Sequence, residues 1–243
     1  MKTLHIIMPM AGEGSRFMKE GWTTPKPLIM LHGTPLFKHA INSIKIEGVD
    51  MKYSFIIRKE HLINHNLDEA IRQYVPNANV FSVEKTTRGA VETCLMAESV
   101  IEPDEAVIIM DCDLEFRSID FCKTIKNCIE QTTSNTCGGA LVSFTSDSPR
   151  YSYAEVNAEG RVMRTAEKEV ISNHALCGAY FFARGKRFLQ VAHELLNEPD
   201  FKKPEFYVSL LYNYLLRDGE VVHLSEMEEY YSYGTPEELK RYL

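Results

Sequence analysis

The stretch Met8-Pro-Met-Ala-Gly-Glu-Gly-Ser-Arg-Phe17, with Thr24-Pro-Lys-Pro-Leu28 a few residues later, decides how the start of this chain folds. The residues just before the turn, 4–10, form an apolar run that is typical of a strand buried on both faces of a parallel sheet. The glycine turn therefore lies at the carboxyl end of a strand. In open α/β sheets, ligands bind at that edge.

The composition of the turn predicts the chemistry of that ligand. Gly12 and Gly14 let the backbone approach an anion closely and direct its N–H groups at it. Arg16 adds a rigid fork of donors, and Lys26 adds a mobile point charge between two prolines. The combination predicts a site that handles phosphate groups.

Two other phosphate-binding turns fit the sequence less well. A dinucleotide-binding turn needs a small residue where the helix packs on the strand, and Phe17 occupies that position. The second strand also ends in Ile56-Ile-Arg-Lys59, with no acidic residue for a ribose hydroxyl. A P-loop is excluded, because no Gly-Lys-Ser or Gly-Lys-Thr follows the turn.

Length and charge narrow the class of protein. The chain has 243 residues, enough for a sizeable core in one large α/β domain. Its formal net charge of -7 argues against a nucleic-acid partner, which would favour a basic face. No apolar run approaches the length of a membrane span, so we expect no membrane insertion and a cytoplasmic protein.

The cysteines do not form a metal-binding or disulfide pattern. None of them belongs to a Cys-x-x-Cys pair, and a chain of this size does not need disulfide cross-links. We therefore expect free, mostly buried thiols and no structural zinc site. The cysteines are Cys94, Cys112, Cys122, Cys128, Cys137 and Cys177. The scattered histidines are interpreted as surface or packing residues.

Apolar runs alternate with amphipathic segments through the first half, which predicts right-handed βαβ units and a parallel sheet covered by helices. The strands expected there are 4–10, 52–58, 79–83 and 106–110, and the helices 35–46, 61–74, 89–100 and 119–131. In the second half we expect strands at 139–144, 153–157, 161–165, 175–183 and 221–224, and helices at 186–196, 204–217 and from 236 onward.

The fourth expected strand runs directly into Asp111-Cys-Asp113. Two carboxylates at the end of a strand can bind a hard cation such as Mg²⁺, which bridges substrate phosphates while keeping several waters. Aspartates also cap or turn strand ends without any ligand. Because a buried strand ends in two acids here, we favour the metal role.

Gly12-Glu-Gly-Ser-Arg16 and Pro25-Lys-Pro27, in this order and spacing, resemble the signature of the bacterial sugar-phosphate nucleotidylyltransferases, the NTP transferases. The resemblance implies an α/β, Rossmann-like mixed and mostly parallel sheet covered by helices, the glycosyltransferase A-type nucleotidyltransferase fold. It implies a single domain over 1–243, with a nucleotide-binding half, 1–117, and an acceptor-binding half, 118–243.

The resemblance also implies roles for individual residues. Arg16 and Lys26 would be catalytic, and Asp113 would hold the metal with Asp111. Lys168 and Gly178 would contact the acceptor. Thr87 is also a candidate helix cap. The residues implied to bind the nucleotide are Met10, Ala11, Gly12, Glu13, Gly14, Ser15, Thr87, Gly89 and Ala90.

The segment Tyr230-Tyr-Ser-Tyr-Gly-Thr-Pro236 resembles the closing motif of the family, with one departure. Ser232 stands where the family has the aspartate that is its second metal ligand. Three explanations are open, of which we prefer the first. Asp111 supplies the missing carboxylate; a nearby acid such as Glu226 or Glu228 does so; or the metal is held mainly by substrate phosphates.

The expected function is a Mg²⁺-dependent transfer that joins a nucleoside triphosphate to a phosphorylated acceptor, with release of pyrophosphate, for cell-surface glycan precursor synthesis. The acceptor is a sugar 1-phosphate or a smaller phosphomonoester such as phosphocholine. The alternatives are a glycosyltransferase that uses Asp-x-Asp to bind a nucleotide-sugar, and a catalytically silent regulatory homologue. The nucleotide base and the oligomeric state, including a homo-oligomer, stay open.

Overall fold

A nine-stranded sheet forms the centre of the protein in a computed structural model, which describes residues 2–130 and 137–243. The strands described are β1 Thr3–Met10, β2 Met30–Leu31, β3 Thr34–Pro35, β4 Asp50–Arg58, β5 Asn79–Val83, β6 Ala106–Met110, β7 Leu114–Arg117, β8 Cys137–Thr145, β9 Ser152–Val156, β10 Val162–Glu167, β11 His174–Phe182, β12 Val221–Glu226 and β13 Glu229–Ser232.

Helices connect these strands and cover the sheet. Short 3₁₀ helices cover Lys26–Leu28, Leu95–Val100 and Val208–Leu210. The α-helices described are α1 Ser15–Lys19, α2 Leu36–Asn42, α3 Lys59–His65, α4 Leu67–Tyr74, α5 Ala90–Cys94, α6 Ile119–Glu130, α7 Gly185–Leu196, α8 Leu211–Arg217 and α9 Pro236–Leu239.

The first half of the sheet is parallel. β1 lies between β4 and β6, and β5 extends the sheet beyond β4 in the same direction. β6 is buried along its whole length, as its uninterrupted apolar sequence predicts. Ile7 of β1 lies opposite Ile109 of β6, so the two strands end at the same edge. The glycine turn and the acidic pair are neighbours for that reason.

The second half is mostly antiparallel. β11 runs against β6, β8 and β9, while β9 and β10 form a hairpin and β12 lies parallel to β8. Ala179 of β11 pairs with Met110 at the end of β6. The expected mixed α/β sheet covered by helices is confirmed, with the parallel strands in the first half.

A small second sheet connects the C-terminal segment to the edge of the main sheet. β13 pairs antiparallel with β7, with Ser232 opposite Leu114. The N–H of Tyr233 donates a 2.8 Å hydrogen bond to the carbonyl of Asp113. The closing motif of the chain therefore lies beside the acidic pair, although well over 100 residues separate them in sequence.

Apolar residues form one large cluster on each face of the sheet because successive strand residues point in opposite directions. In β1, Ile6 and Met8 pack on one face and Ile7 on the other. α2 and α6 supply residues to the first cluster, including Phe37 and Phe121, and α5, α7 and α8 to the second.

Several expected helices differ in detail from the structure. The helix predicted over 35–46 ends at Asn42, and the one predicted over 89–100 continues after Cys94 as a 3₁₀ helix. The helix predicted over 61–74 is divided into α3 and α4 at Asn66, whose φ of 48° is left-handed. Asparagine tolerates this conformation better than most residues, so helical periodicity does not reveal the break. The helix predicted over 204–217 begins only at the 3₁₀ turn at Val208. The expected last residue of the 119–131 helix, Gln131, lies outside the described residues.

The expectation that all cysteines are free is wrong for one pair. Cys128 near the end of α6 forms a disulfide with Cys137 at the start of β8, whereas Cys94, Cys112, Cys122 and Cys177 are free. The fold brings the helix end beside the strand start, which residue spacing alone does not show. His223 approaches the pair, but both sulfurs are bonded to each other and offer no thiolates to a metal.

Within the described ranges, no helix combines the length and the apolarity needed to cross a membrane.

Candidate active site

The glycine turn leaves open space beside the end of β1. Met10 and Ala11 are buried and fix the start of the turn. Gly14 has a φ of 63° and precedes α1, so its left-handed backbone favours glycine. At Gly12 a side chain would meet no atom within 4 Å, so the protein itself does not require glycine there. That empty space is available to a ligand.

The turn is connected to the segment that opens α5. The Thr86 hydroxyl donates to a Glu13 carboxylate oxygen over 3.0 Å. Arg58, at the end of β4, donates to Thr86 Oγ1 over 3.2 Å and to the Ala11 carbonyl over 3.4 Å. These contacts bring the two predicted nucleotide-binding segments, 10–15 and 87–90, to one rim of the sheet.

Lys26 and Asp113 form an ion pair at this rim. Lys26 begins a 3₁₀ helix flanked by Pro25, and its Nζ lies 2.6 Å from Asp113 Oδ2. Burial by itself lowers the pKa of the Lys26 ammonium, but the negative charges of Asp113 and Asp111 outweigh it, so the net pKa is raised. The ammonium stays charged throughout the physiological range.

Asp111 packs against Gly178 on β11. Its N–H donates a 2.9 Å hydrogen bond to the Gly178 carbonyl. A Cβ on Gly178, whose φ is 97°, would lie only 2.4 Å from Asp111 Oδ2. Burial first, and then the nearby charges of Asp113 and Glu167, raise the pKa of Asp111 above its ordinary value. Gly178 thus makes room for a carboxylate at the centre of the site.

Two adjacent clefts meet at these charged residues, and both are lined by Lys26, Asp111 and Asp113. The smaller, about 220 Å³, is also lined by Pro9, Met10, Gly12, Gly14, Pro27 and Cys112. The larger, about 500 Å³, is mostly lined by second-half residues, including Arg150, Tyr151, Ser152, Glu167, Gly178, Tyr180, Tyr207, Tyr230, Ser232, Gly234 and Thr235. The Lys26–Asp113 pair therefore stands between two binding spaces.

Arg16 and Ala90 also line the larger cleft. Arg16 is exposed, and no carboxylate of the described residues forms an ion pair with it. Ser15, the first residue of α1, is exposed beside it. A cation with no ion-pair partner on a cleft wall is available to an anionic ligand.

The prediction that Thr87 caps α5 is wrong. The N-cap is Gly89, and the Thr87 hydroxyl instead donates to the Gly89 carbonyl over 3.1 Å and lies 2.6 Å from Thr93 Oγ1. The helix start is held by the chain around Phe206, since the Val91 N–H donates to the Phe206 carbonyl over 3.1 Å.

Gly89 allows this contact between the two halves. Its φ is 144°, and a Cβ there would lie 2.5 Å from the Phe206 backbone nitrogen. The Phe206 N–H donates to the Arg88 carbonyl over 2.9 Å. The glycine is therefore explained by backbone packing alone, and its predicted contact with a nucleotide stays a prediction.

Lys168 does not line the larger cleft itself, but it contacts a residue that does. Its Nζ donates to the Tyr207 hydroxyl over 2.8 Å and lies 4.8 Å from the centre of the same ring. Hydrogen bonding to Tyr207 raises the pKa of Lys168, so the side chain remains cationic. Tyr207 itself lines the cleft, so Lys168 is connected to it through that ring.

Several residues of the larger cleft were missed by the sequence analysis. Glu167 is buried and accepts hydrogen bonds from Ser152 over 2.6 Å and from Ser209 over 2.8 Å. Its neighbour Lys168 was singled out instead, because the burial of the acid at the end of β10 is visible only in the structure. Arg150 forms an ion pair with Glu238 near the C-terminus, a contact that no local pattern predicts.

The structure places Ser232 beside Asp113, where the resemblance implies an acid. Neither Glu226 nor Glu228 lines the clefts. The Glu228 carboxylate accepts the Ile119 N–H over 3.2 Å at the start of α6, and Glu226 is exposed. The explanation that one of these two acids replaces the missing aspartate is therefore wrong, because neither carboxylate reaches the clefts.

A sheet that is parallel in its first half, with a glycine turn at its carboxyl edge and two acids after β6, defines an α/β nucleotide-handling protein. The sequence model described as Nucleotidyl transferase matches residues 4–230, and this chain belongs to that family. Members of the family generally use a divalent metal, and their substrates are a nucleoside triphosphate and a sugar phosphate.

Individual relatives agree with this assignment. The chain is 23% identical over 221 residues to the bifunctional protein GlmU of Staphylococcus epidermidis, covering 88% of this chain and 46% of GlmU. It thus spans about half the length of that relative. A nucleoside-diphosphate-sugar pyrophosphorylase from Vibrio cholerae RC9 is similar in structure, with a TM-score of 0.83, 26% identity, and coverage of 98% of this chain and 99% of that chain.

A third relative shares the fold at lower identity. The inositol-1-phosphate CTP transferase from T. maritima has a TM-score of 0.72 and 16% identity, with 99% of this chain and 94% of that chain covered. At this identity the likeness supports the fold and nothing finer.

Proposed function

We propose that this chain transfers the nucleotidyl group of a nucleoside triphosphate to a phosphorylated acceptor of the sugar-phosphate class and releases pyrophosphate. The observation that carries the proposal is the pair of clefts with a shared wall of Lys26, Asp111 and Asp113. One cleft is lined by the glycine turn and suits a triphosphate. The other is lined by hydroxyls, aromatic rings and a buried carboxylate, and it suits a hydrophilic acceptor.

The reaction needs no nucleophile from the protein. An oxygen of the acceptor phosphate attacks the α-phosphorus, the new P–O bond forms, and the bond to pyrophosphate breaks with its electron pair on the leaving oxygen. Both reactants are anions, so the protein's work is to position them and to neutralise charge. No general base is needed, because the attacking phosphate is already ionised.

Three cationic residues have a role in this scheme. Lys26, held charged beside Asp113, neutralises the α-phosphate or the incoming phosphate where the clefts meet. Arg16, which lines the larger cleft and has no ion pair with the described carboxylates, binds the leaving β- and γ-phosphates where the two clefts meet, together with the N–H groups of 12–15. Thr87, Gly89 and Ala90 border the nucleotide from the segment that opens α5, on the same rim of the sheet. Lys168 binds the acceptor phosphate from beside Tyr207, which lines the larger cleft.

The donor set fits a hard divalent cation, Mg²⁺ in this proposal. Asp113 and Asp111 present carboxylate oxygens at the wall shared by the clefts, and the missing side chain of Gly234 leaves room beside Asp113. When bound, the cation supplies Lewis-acid neutralisation of the phosphates. Asp113 would hold it, and Asp111 is the candidate in this site for the second carboxylate.

The acceptor is a sugar 1-phosphate or a smaller phosphomonoester such as phosphocholine, and the product is an activated precursor for cell-surface glycans. Gly178 keeps the floor of the cleft open, since its side chain would contact Asp111. Glu167, with Ser152 and Tyr180 beside it, offers hydrogen-bond acceptors and donors to the hydroxyls of such a substrate.

A thermal-shift panel of ATP, GTP, CTP, UTP and dTTP, each with and without Mg²⁺, tests the nucleotide half directly, because a ligand of the native state raises the melting temperature. We expect one triphosphate to stabilise the protein and Mg²⁺ to strengthen the effect. That triphosphate is then used in a pyrophosphate-release assay with sugar 1-phosphates and phosphocholine. Stabilisation by nucleotide-sugars alone would favour a glycosyltransferase instead, and indifference to every nucleotide would refute both.

A further inference from the structure

Glu238 has one carboxylate oxygen that nothing in the described chain satisfies. The residue lies in α9, where its N–H donates to the Thr235 hydroxyl over 3.2 Å, and it is only 8% exposed. Oε1 forms an ion pair with Arg150. Oε2 is buried, and no donor of the described residues reaches it. A buried anionic oxygen without a partner is unfavourable unless a ligand completes it.

That oxygen faces an empty position that two other oxygens also face. A Cβ on Gly234 would lie 3.3 Å from Asp113 Oδ2, 3.5 Å from Glu238 Oε2 and 3.7 Å from Ser232 Oγ. Gly234 has no positive φ, so its backbone does not require glycine. Its missing side chain leaves a space whose nearest neighbours are two carboxylates and a hydroxyl. Such a space suits a cation that binds oxygen.

An oxygen without a partner, and not an excess of negative charge, favours a cation there. Asp113 Oδ2 is balanced by Lys26 and Glu238 Oε1 by Arg150, so each carboxylate already has one cationic partner. A carboxylate oxygen can accept more than one partner, and Oε2 has none within the described ranges. Asp111 lies on another side of the site, with its Oδ2 packed against Gly178.

We propose that Glu238 supplies the carboxylate that Ser232 does not, and that it holds a divalent cation together with Asp113. The inference rests on the proposed function for the choice of cation. The second metal ligand, which the resemblance places at position 232 on β13, would then come from α9. Ser232 Oγ and Glu238 Oε2 both face the space left by the missing side chain of Gly234. The long glutamate side chain on α9 therefore reaches the space that an aspartate at position 232 of β13 would also reach.

Binding of Mn²⁺ is the direct test, because it is measured by electron paramagnetic resonance without any turnover. The full chain is titrated with Mn²⁺ alone and again with Mn²⁺ and inorganic pyrophosphate. One of the two titrations, or both, will show Mn²⁺ binding to wild type. In that titration we expect Glu238→Gln to weaken Mn²⁺ binding at least about tenfold. The matched control is Glu237→Gln, because Glu237 is exposed in the same turn of α9 and carries the same charge. It should stay within about twofold of wild type.

A second variant separates metal binding from a structural role for the ion pair. Arg150→Met removes the partner of Oε1 and leaves the Glu238 carboxylate in place, so Mn²⁺ affinity should be retained. Ser232→Asp adds a carboxylate at the same space. It should restore Mn²⁺ binding to Glu238→Gln, and in the wild-type background it should tighten binding. The Ser232→Asp single variant keeps the test valid if Glu238→Gln does not fold.

The inference is wrong if wild type binds no Mn²⁺ in either titration, or if Glu238→Gln binds Mn²⁺ as tightly as wild type does. It is also wrong if Arg150→Met weakens Mn²⁺ binding as much as Glu238→Gln does, or if Ser232→Asp leaves the Mn²⁺ affinity unchanged. Pyrophosphate release by the same preparations keeps the two proposals apart. Turnover by wild type together with unaltered Mn²⁺ binding in Glu238→Gln refutes only the role of Glu238. Mn²⁺ bound through Glu238 without turnover on any triphosphate refutes only the proposed transfer.

Discussion

The two halves of the sheet build their clefts in different ways. In the first half, parallel strands end at one edge, and each contributes the residues that directly follow it, so the glycine turn and the acidic pair meet through strand direction alone. In the second half, antiparallel strands and the C-terminal segment bring together residues far apart in sequence, such as Arg150 and Glu238. The smaller cleft is thus built by residues that directly follow strands in sequence, whereas the larger cleft depends on contacts between segments that are distant in sequence.

The largest expected effect is a loss of turnover when the Lys26–Asp113 pair, which lines both clefts, is broken. Lys26→Ala and Asp113→Asn should each lower kcat by about 10²- to 10³-fold, because each removes a charge from the wall where the reactants meet. Turnover is measured by pyrophosphate release, and circular dichroism checks the fold. Lys19→Ala, in the exposed part of α1, is the control and should retain kcat. Near-normal kcat in either site variant would contradict the assignment.

A change at Gly89 tests the contact between the halves. Gly89→Ala should destabilise the fold by roughly 2–4 kcal/mol, because the new Cβ meets the Phe206 backbone and φ is unfavourable for alanine. Urea unfolding measures the loss. A decrease below about 1 kcal/mol would mean that the segment around Phe206 moves aside readily and that the halves are less tightly joined than the structure indicates.

Gly12 provides the contrast within the first half. Gly12→Ala should leave the melting temperature unchanged, because the added methyl group meets no protein atom. The affinity for the triphosphate should nevertheless fall about tenfold, since the methyl group enters the space kept for phosphates. Isothermal titration with the triphosphate identified in the thermal-shift panel measures it. Unaltered affinity would place the phosphates elsewhere on the rim.

The smallest expected effect lies at Lys168, beside the larger cleft. Lys168→Met should raise the KM for the acceptor about fivefold and leave the KM for the nucleotide unchanged, because an exposed ion contact contributes only about 1 kcal/mol. Lys202→Met, an exposed lysine in the same half, should change neither constant. If the nucleotide KM rises instead, Lys168 serves the first cleft and the division between the halves is less strict.

Much of the fold was predictable because buried parallel strands have a clear pattern. β1, β4, β5 and β6 were all expected within a few residues of their observed bounds. The short strands β7 and β13 were missed, since their pairing depends on the C-terminal segment returning to β6. The Cys128–Cys137 disulfide was missed for a related reason, because only the fold brings α6 beside β8.

By itself, the sequence determined the mixed α/β class and the position of the glycine turn at a strand end, and it predicted Arg16, Lys26 and Asp113 as residues of one site. These follow from local chain direction and from residue chemistry. Only the tertiary structure decided that Lys26 pairs with Asp113, that Glu167 is buried in the larger cleft, and that Glu238 faces the space beside Gly234. Those facts depend on distances between segments remote in sequence, which packing of the whole chain sets and no local pattern encodes.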